Sequence, residues 1–132
     1  TLVRFIKKNH LEKKVKILNF QKNPYKFLNK SNLLIHTAKF EGLPNVLIEA
    51  QLLKKFIISS DCPTGPKEIL CNGKAGFLFK NDDYKQLSKK IILFTEAKKI
   101  IQRKINYGYK KIDRFNYDYC LNKYYSEIKK II

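Results

Sequence analysis

Two carboxylates, Glu41 and Glu49, stand eight residues apart in Glu41-Gly-Leu-Pro-Asn-Val-Leu-Ile-Glu49, around the point where a loop turns into a helix. Pro44 suits the first helical position, where its missing N–H costs nothing, so the amides around Asn45 and Val46 point out of the helix N-terminus. An anionic phosphate is favoured there. Asn45 and Glu49, four residues apart, share a helical face, while Glu41 stays in the loop before it. The stretch can therefore offer an anion site with a carboxylate on either side, each able to accept hydrogen bonds from a ligand's hydroxyl groups. Gly42 allows positive φ and close backbone approach, or is simply a turn residue.

Other candidates carry weaker chemistry. Asp61-Cys-Pro-Thr-Gly-Pro66, with Gly65 inside it, leaves the C-terminal end of an apolar run, the rim where open α/β sheets bind ligands. A purely structural loop-to-helix role would explain its prolines and glycine equally well. Asn19 tolerates a left-handed turn, and Phe20 beside it serves either a base-facing or a core role. His36 reads as a strand residue rather than a base, and Asp82-Asp83 as a helix cap rather than a metal pair.

The elements that must position these groups follow from periodicity. Short apolar runs at Val15 to Leu18, Leu33 to Thr37, Phe56 to Ser60 and Gly76 to Phe79 predict four strands. Helical patterns separate them at Thr1 to Asn9, Pro24 to Leu28, Pro44 to Leu53 and Pro66 to Cys71. That alternation predicts a parallel sheet, part of a doubly wound, Rossmann-like α/β fold. From Asp83 onward the spacing of Leu87, Ile91 and Phe94, then Ile100, Ile101 and Ile105, is helical. Asn116 is placed to cap a last helix from Tyr117 to Ile132, whose apolar stripe includes Tyr124, Tyr125, Ile128 and Ile131.

The chain has 132 residues, one domain's length, and 44% hydrophobic residues, enough for a modest core. Its net charge of +17 raises nucleic-acid binding. Of 28 basic residues, however, only Arg4, Arg103 and Arg114 are arginine, the residue suited to base edges and bidentate phosphate grips. The lysines are dispersed and accompany Ile and Asn, as expected from an A+T-rich coding bias. Attraction to anionic lipid ranks second, at about 1 kcal/mol per well-placed lysine, and nucleic acid third. Cys62, Cys71 and Cys120 are odd in number and lack a C-x-x-C pair, against a disulfide framework or zinc site. No signal peptide or membrane-length apolar run is visible. The expected location is cytoplasmic, with peripheral contact at the inner face of the membrane. Since Met is absent, the expectation is a chain processed, trimmed or cut from something longer.

Three blocks together resemble a known family. They are Val15-Lys-Ile-Leu-Asn-Phe20, His36-Thr-Ala-Lys-Phe-Glu-Gly-Leu-Pro-Asn-Val-Leu-Ile-Glu-Ala50, and Ser59-Ser-Asp-Cys-Pro-Thr-Gly-Pro-Lys-Glu-Ile-Leu70 with Asn72-Gly-Lys-Ala-Gly-Phe77. In order and spacing, up to about Phe94, they are similar to the nucleotide-binding half of glycosyltransferase family four, the group 1 transferases of the GT-B fold. The resemblance implies the C-terminal, donor-binding half of such an enzyme. Residues 1–94 would form the nucleotide-sugar-binding unit, lacking its first strand, and residues 95–132 helices packing on it or crossing from it.

By the same resemblance Glu41 is the catalytic-site glutamate, a hydroxyl anchor or electrostatic stabiliser near the donor sugar. Phe20, Glu41, Gly42, Leu43, Pro44, Asn45, Val46, Glu49 and Gly65 would bind the donor, with Glu49 accepting ribose hydroxyls. No metal or other cofactor is expected. An upstream strand and helix carrying an Arg and a Lys would clamp the diphosphate, and an acceptor-binding domain would precede them. The implied activity is retaining transfer of a hexose or N-acetylhexosamine from a nucleotide diphosphate sugar to a lipid-linked or cell-envelope glycan acceptor. The partners are then that donor, an acceptor held by the upstream domain, and a second copy in self-association. The alternatives are a non-catalytic remnant or interaction domain and, behind it, a basic nucleic-acid-binding module. One departure stands out: relatives end the Glu49 helix with Gly and place Pro before the next strand, where this chain has Lys54 and Phe56.

Overall fold

A computed structural model describes residues 1–131. Three strands, β1 (Leu33–His36), β2 (Phe56–Ser60) and β3 (Phe77–Phe79), form one parallel sheet in the order β1-β2-β3. Short helices connect them: α3 (Asn45–Leu52) lies between β1 and β2, and α4 (Pro66–Ile69) between β2 and β3. Two more, α1 (Leu2–Lys8) and α2 (Tyr25–Lys30), precede the sheet. After it come α5 (Tyr84–Glu96), α6 (Lys98–Lys110), a 3-10 turn at Ile112–Phe115 and α7 (Tyr117–Ile128). Ile132, the predicted end of the last helix, lies outside the described residues.

All five residues of β2 are buried, as a central strand covered on both faces requires. Successive side chains of a strand point to opposite faces. Ile57 accordingly joins Leu47, Ala50, Ile69, Leu70 and Ala75 in one cluster, whereas Phe56 and Ile58 join Phe77, Phe79 and Ile101 in the other. Full burial of such side chains is worth about 1.5–3 kcal/mol each. The Phe56 ring meets Phe77 edge-on at 4.9 Å and stacks on Phe94 of α5 at 5.5 Å, so the aromatic layer ties α5 to the sheet.

The predicted strand at Val15 to Leu18 does not form. This segment has no regular secondary structure and lies outside the sheet, with Val15, Ile17 and Leu18 each about 40% or more exposed. A strand exists only through a neighbour that takes up its N–H and C=O groups, and the segment pairs with none among the described residues. The sheet therefore has three strands rather than four, with β1 at one edge.

The caps match their residues. Asp83 accepts from the Gln86 amide at 2.8 Å, and the Gln86 side chain accepts from the Lys80 amide at 2.7 Å. Asn116 accepts from the amides of Asp118 and Tyr119. At the end of α3, Lys54 is left-handed with φ 53°. Its amide bonds Gln51 O, and the Lys55 amide bonds Ala50 O, the paired pattern usually closed by glycine. The departure from relatives thus keeps the turn at a cost of about 1–2 kcal/mol, with the Lys54 ammonium resting 4.2 Å above the Tyr109 ring.

Candidate functional site

The C-terminal ends of β1 and β2 bring two loops to one rim. The residues after β1 carry Glu41, and those after β2 form Asp61–Gly65. The two loops meet backbone to backbone at Gly65, whose φ of 85° lies in the left-handed region. A Cβ there would stand 2.5 Å from Gly42 O and overlap Pro44 Cδ, so no side chain fits. Thr64 Oγ1 donates to the Glu41 carbonyl and fastens the loops a second time. Between them lies a cleft of about 630 Å³ lined by Gly42, Leu43, the Asp61–Gly65 loop, Lys67, Glu68 and Asn72. Lys67 places its ammonium 3.2 Å from Asp61 there.

Glu41 is partly exposed, at 32% of its side chain, and its carboxylate accepts from His36 Nε2 at 3.0 Å. The other ring nitrogen, Nδ1, is 3.0 Å from Ser59 Oγ. Parallel register makes this possible, because His36 and Ser59 are partners across β1 and β2. Next along β2, the buried Ser60 hydroxyl donates to Ala38 O at 2.6 Å, tying the start of the Glu41 loop to the central strand.

Pro44 is buried and stands one position earlier than predicted, as the N-cap of α3, with Asn45 the first helical residue. Its ψ of 95° is extended, and no side chain caps the helix. The Leu47 amide already bonds Pro44 O at 3.0 Å, whereas the Asn45 and Val46 amides precede the helical ladder and face the rim. Asn45 and Val46 are exposed. Glu49 lies one turn on, half-buried, and accepts from Tyr25 Oη of α2 at 3.1 Å. That bond, and then the Glu49 charge, push the Tyr25 phenol above its ordinary value.

Several expectations change. Gly42 has no positive φ and a Cβ there would meet nothing within 4 Å; the glycine required by close approach is Gly65. Asn19 is not left-handed. Phe20 is 91% exposed, which excludes its core reading. Leu43 is about half exposed at the cleft wall. Asp83 caps α5, and Asp82 pairs with Lys39 at 2.9 Å. Sequence reasoning missed the contacts of Tyr25 and Ser59 and took His36 only for a strand residue. The available signal for His36 and Ser59 was their place at the ends of adjacent parallel strands; for Tyr25 there was none. Among the described residues no group of three His, Cys, Asp or Glu side chains is placed to hold a metal ion. No helix there is long and apolar enough to cross a membrane.

A parallel sheet with an acidic loop and an open helix N-terminus at its C-terminal rim defines an α/β domain of the GT-B type, in its C-terminal part. The fold matches that of Anabaena HepE, solved in complex with UDP, with a TM-score of 0.84 at 21% identity over 99% of this chain and 36% of that one. The chain belongs to the glycosyl transferases group 1, whose family description matches residues 1–111. An uncharacterised glycosyltransferase of Methanocaldococcus jannaschii is 50% identical over 70 residues, which are 53% of this chain and 17% of that protein. A Campylobacter jejuni enzyme, N-acetylgalactosamine-N,N'-diacetylbacillosaminyl-diphospho-undecaprenol 4-alpha-N-acetylgalactosaminyltransferase, is 34% identical over 82 residues, 62% of this chain and 22% of that one. The chain thus spans about a fifth of the length of these two relatives.

Proposed function

We infer that the chain is the donor-binding part of a retaining glycosyltransferase that moves a hexose or N-acetylhexosamine from a nucleotide diphosphate sugar to a lipid-linked or cell-envelope glycan. The carrying observation is the rim itself, where the loop that carries Glu41, its carboxylate held by His36, leads into the uncapped N-terminus of α3 and Glu49 follows on the same helix. The phosphates then lie against the Asn45 and Val46 amides, Glu41 meets the sugar, and Glu49 exchanges the Tyr25 hydroxyl for a ribose hydroxyl. Phe20, Gly42, Leu43, Pro44 and Gly65 complete the donor surface. On this reading residues 1–94 form the donor unit, residues 95–132 the helices associated with it, and no metal is used. The Campylobacter enzyme, by its name an N-acetylgalactosaminyltransferase acting on a diphospho-undecaprenol substrate, supports a lipid-linked acceptor. HepE, bound to UDP, recommends uridine nucleotides as first probes.

The test is an amide-shift titration of the chain with UDP and UDP-sugars. Shifts are expected to cluster at Phe20, Glu41 to Asn45 and the Asp61 to Pro66 loop. The chain alone should transfer no sugar, because acceptor positioning is expected from a further domain. Shifts confined to the lysine-rich α5 and α6 would mark nonspecific anion binding and reject the reading.

A further inference from the structure

We propose that His36 and Ser59 are positioning residues for Glu41, a relay that fixes its carboxylate from the rigid centre of the sheet. The part of the proposal that concerns sugar binding rests on reading the rim as a donor site.

Glu41 lies in an irregular segment between β1 and α3, where a long acidic side chain samples many rotamers unless something holds it. The loop backbone is held separately, by Thr64 on the Glu41 carbonyl and Ser60 on the Ala38 carbonyl. The direction of the carboxylate itself depends on the His36 ring, whose side chain is only 11% exposed. That ring is in turn held by Ser59, which has no exposed surface and belongs to the central strand.

Proton inventory fixes the sense of the chain. A carboxylate has no hydrogen to give, so His36 Nε2 carries the proton and donates to Glu41. In the neutral ring Nδ1 then accepts from the Ser59 hydroxyl, for which the Ser60 carbonyl, also 3.0 Å away, is the competing acceptor. A second-layer hydroxyl thereby selects a tautomer that keeps the outer nitrogen a donor. Register supplies the lever: only a parallel pairing of His36 with Ser59 sets the ring between the buried hydroxyl and the loop acid.

The experiment has two readouts on the same variants. In the ligand-free chain, three-bond couplings of the Glu41 side chain should report one χ1 rotamer. His36→Phe and Ser59→Ala should average them, and His36→Gln, whose amide can donate from nearly the same place as Nε2, should restore them. A single rotamer persisting in folded His36→Phe overturns the proposal whatever nucleotides do. For binding, His36→Phe and Glu41→Gln should each weaken a UDP-sugar by about tenfold, the scale of one hydrogen bond to a charged group. Both should leave UDP within about twofold, and the double variant should be no worse than either single one. Equal losses for UDP and UDP-sugar, with additive effects, would indicate a structural role and reject positioning. If Glu41 is ordered through His36 but the wild-type chain binds no UDP-sugar, the donor-site reading falls and the relay stands.

Discussion

Tyr25 and Glu49 show how one contact alters the chemistry of a residue found by motif. The Tyr25 phenol is held above its ordinary value first by its hydrogen bond to Glu49 and then by the Glu49 charge. A folded state that holds this proton more tightly than the unfolded chain gains stability below the ordinary tyrosine range, near 10. The gain is lost as pH rises through the raised folded value. A difference titration at the phenolate absorbance, wild type minus Tyr25→Phe, should therefore place Tyr25 above the ordinary range, and Glu49→Gln should return it. A midpoint unchanged by Glu49→Gln would show that the contact does not persist in solution. Both glutamates were legible in the sequence, because their spacing around a proline is a local pattern. Their partners were not: Tyr25 is 24 residues from Glu49 and Ser59 is 23 from His36, distances over which only the folded sheet makes neighbours. Pro44 was placed one position too far into the helix, since proline satisfies the missing-donor argument at either place.

The elements were read well where the chain signals them locally. β2 is Phe56–Ser60, as predicted from its short apolar run, and Asp83 and Asn116 cap the helices they precede. Val15 to Leu18 failed because an alternating apolar run states a willingness to pair, while pairing itself needs another strand. Gly65 was legible as a loop glycine, but its packing against the preceding loop was not. That packing carries a prediction for the whole rim. Gly65→Ala must place a Cβ against Gly42 O and Pro44 Cδ in a left-handed conformation, at about 1–2 kcal/mol for the backbone alone. A urea midpoint lowered by more than that amount is expected, with amide shifts at Glu41 to Asn45 from the separated loops. Gly42→Ala, whose Cβ enters open space, should leave both nearly unchanged. Equal effects of the two substitutions would refute the loop-to-loop packing.

At the scale of the molecule, α7 presents Tyr117, Tyr119, Tyr124 and Tyr125, all more than half exposed, and β1 leaves one edge of the sheet unpaired among the described residues. Self-association through α7 is opposed by the net charge of +17. Salt screens that repulsion, with a Debye length of about 8 Å at physiological strength, and leaves apolar contact intact. Sedimentation should accordingly show a dimer fraction that rises with NaCl and disappears in Tyr124→Glu/Tyr125→Glu; a monomer at every salt concentration rejects this surface. The opposite end of the fold is closed. Gly108 of α6 lies so near α3 and the β3 approach that a Cβ would stand 2.9 Å from Gln51 Nε2 and 3.1 Å from Ala75 Cβ, while that Gln51 amide donates to Ile69 O. The far end of α3 is therefore held at Gln51, while its Asn45 end is held through Pro44 against Gly65, so the helix is a beam resting on two bearings. A beam so supported tilts when either bearing is displaced, so a side chain at Gly108 would shift the Asn45 amides without touching the rim.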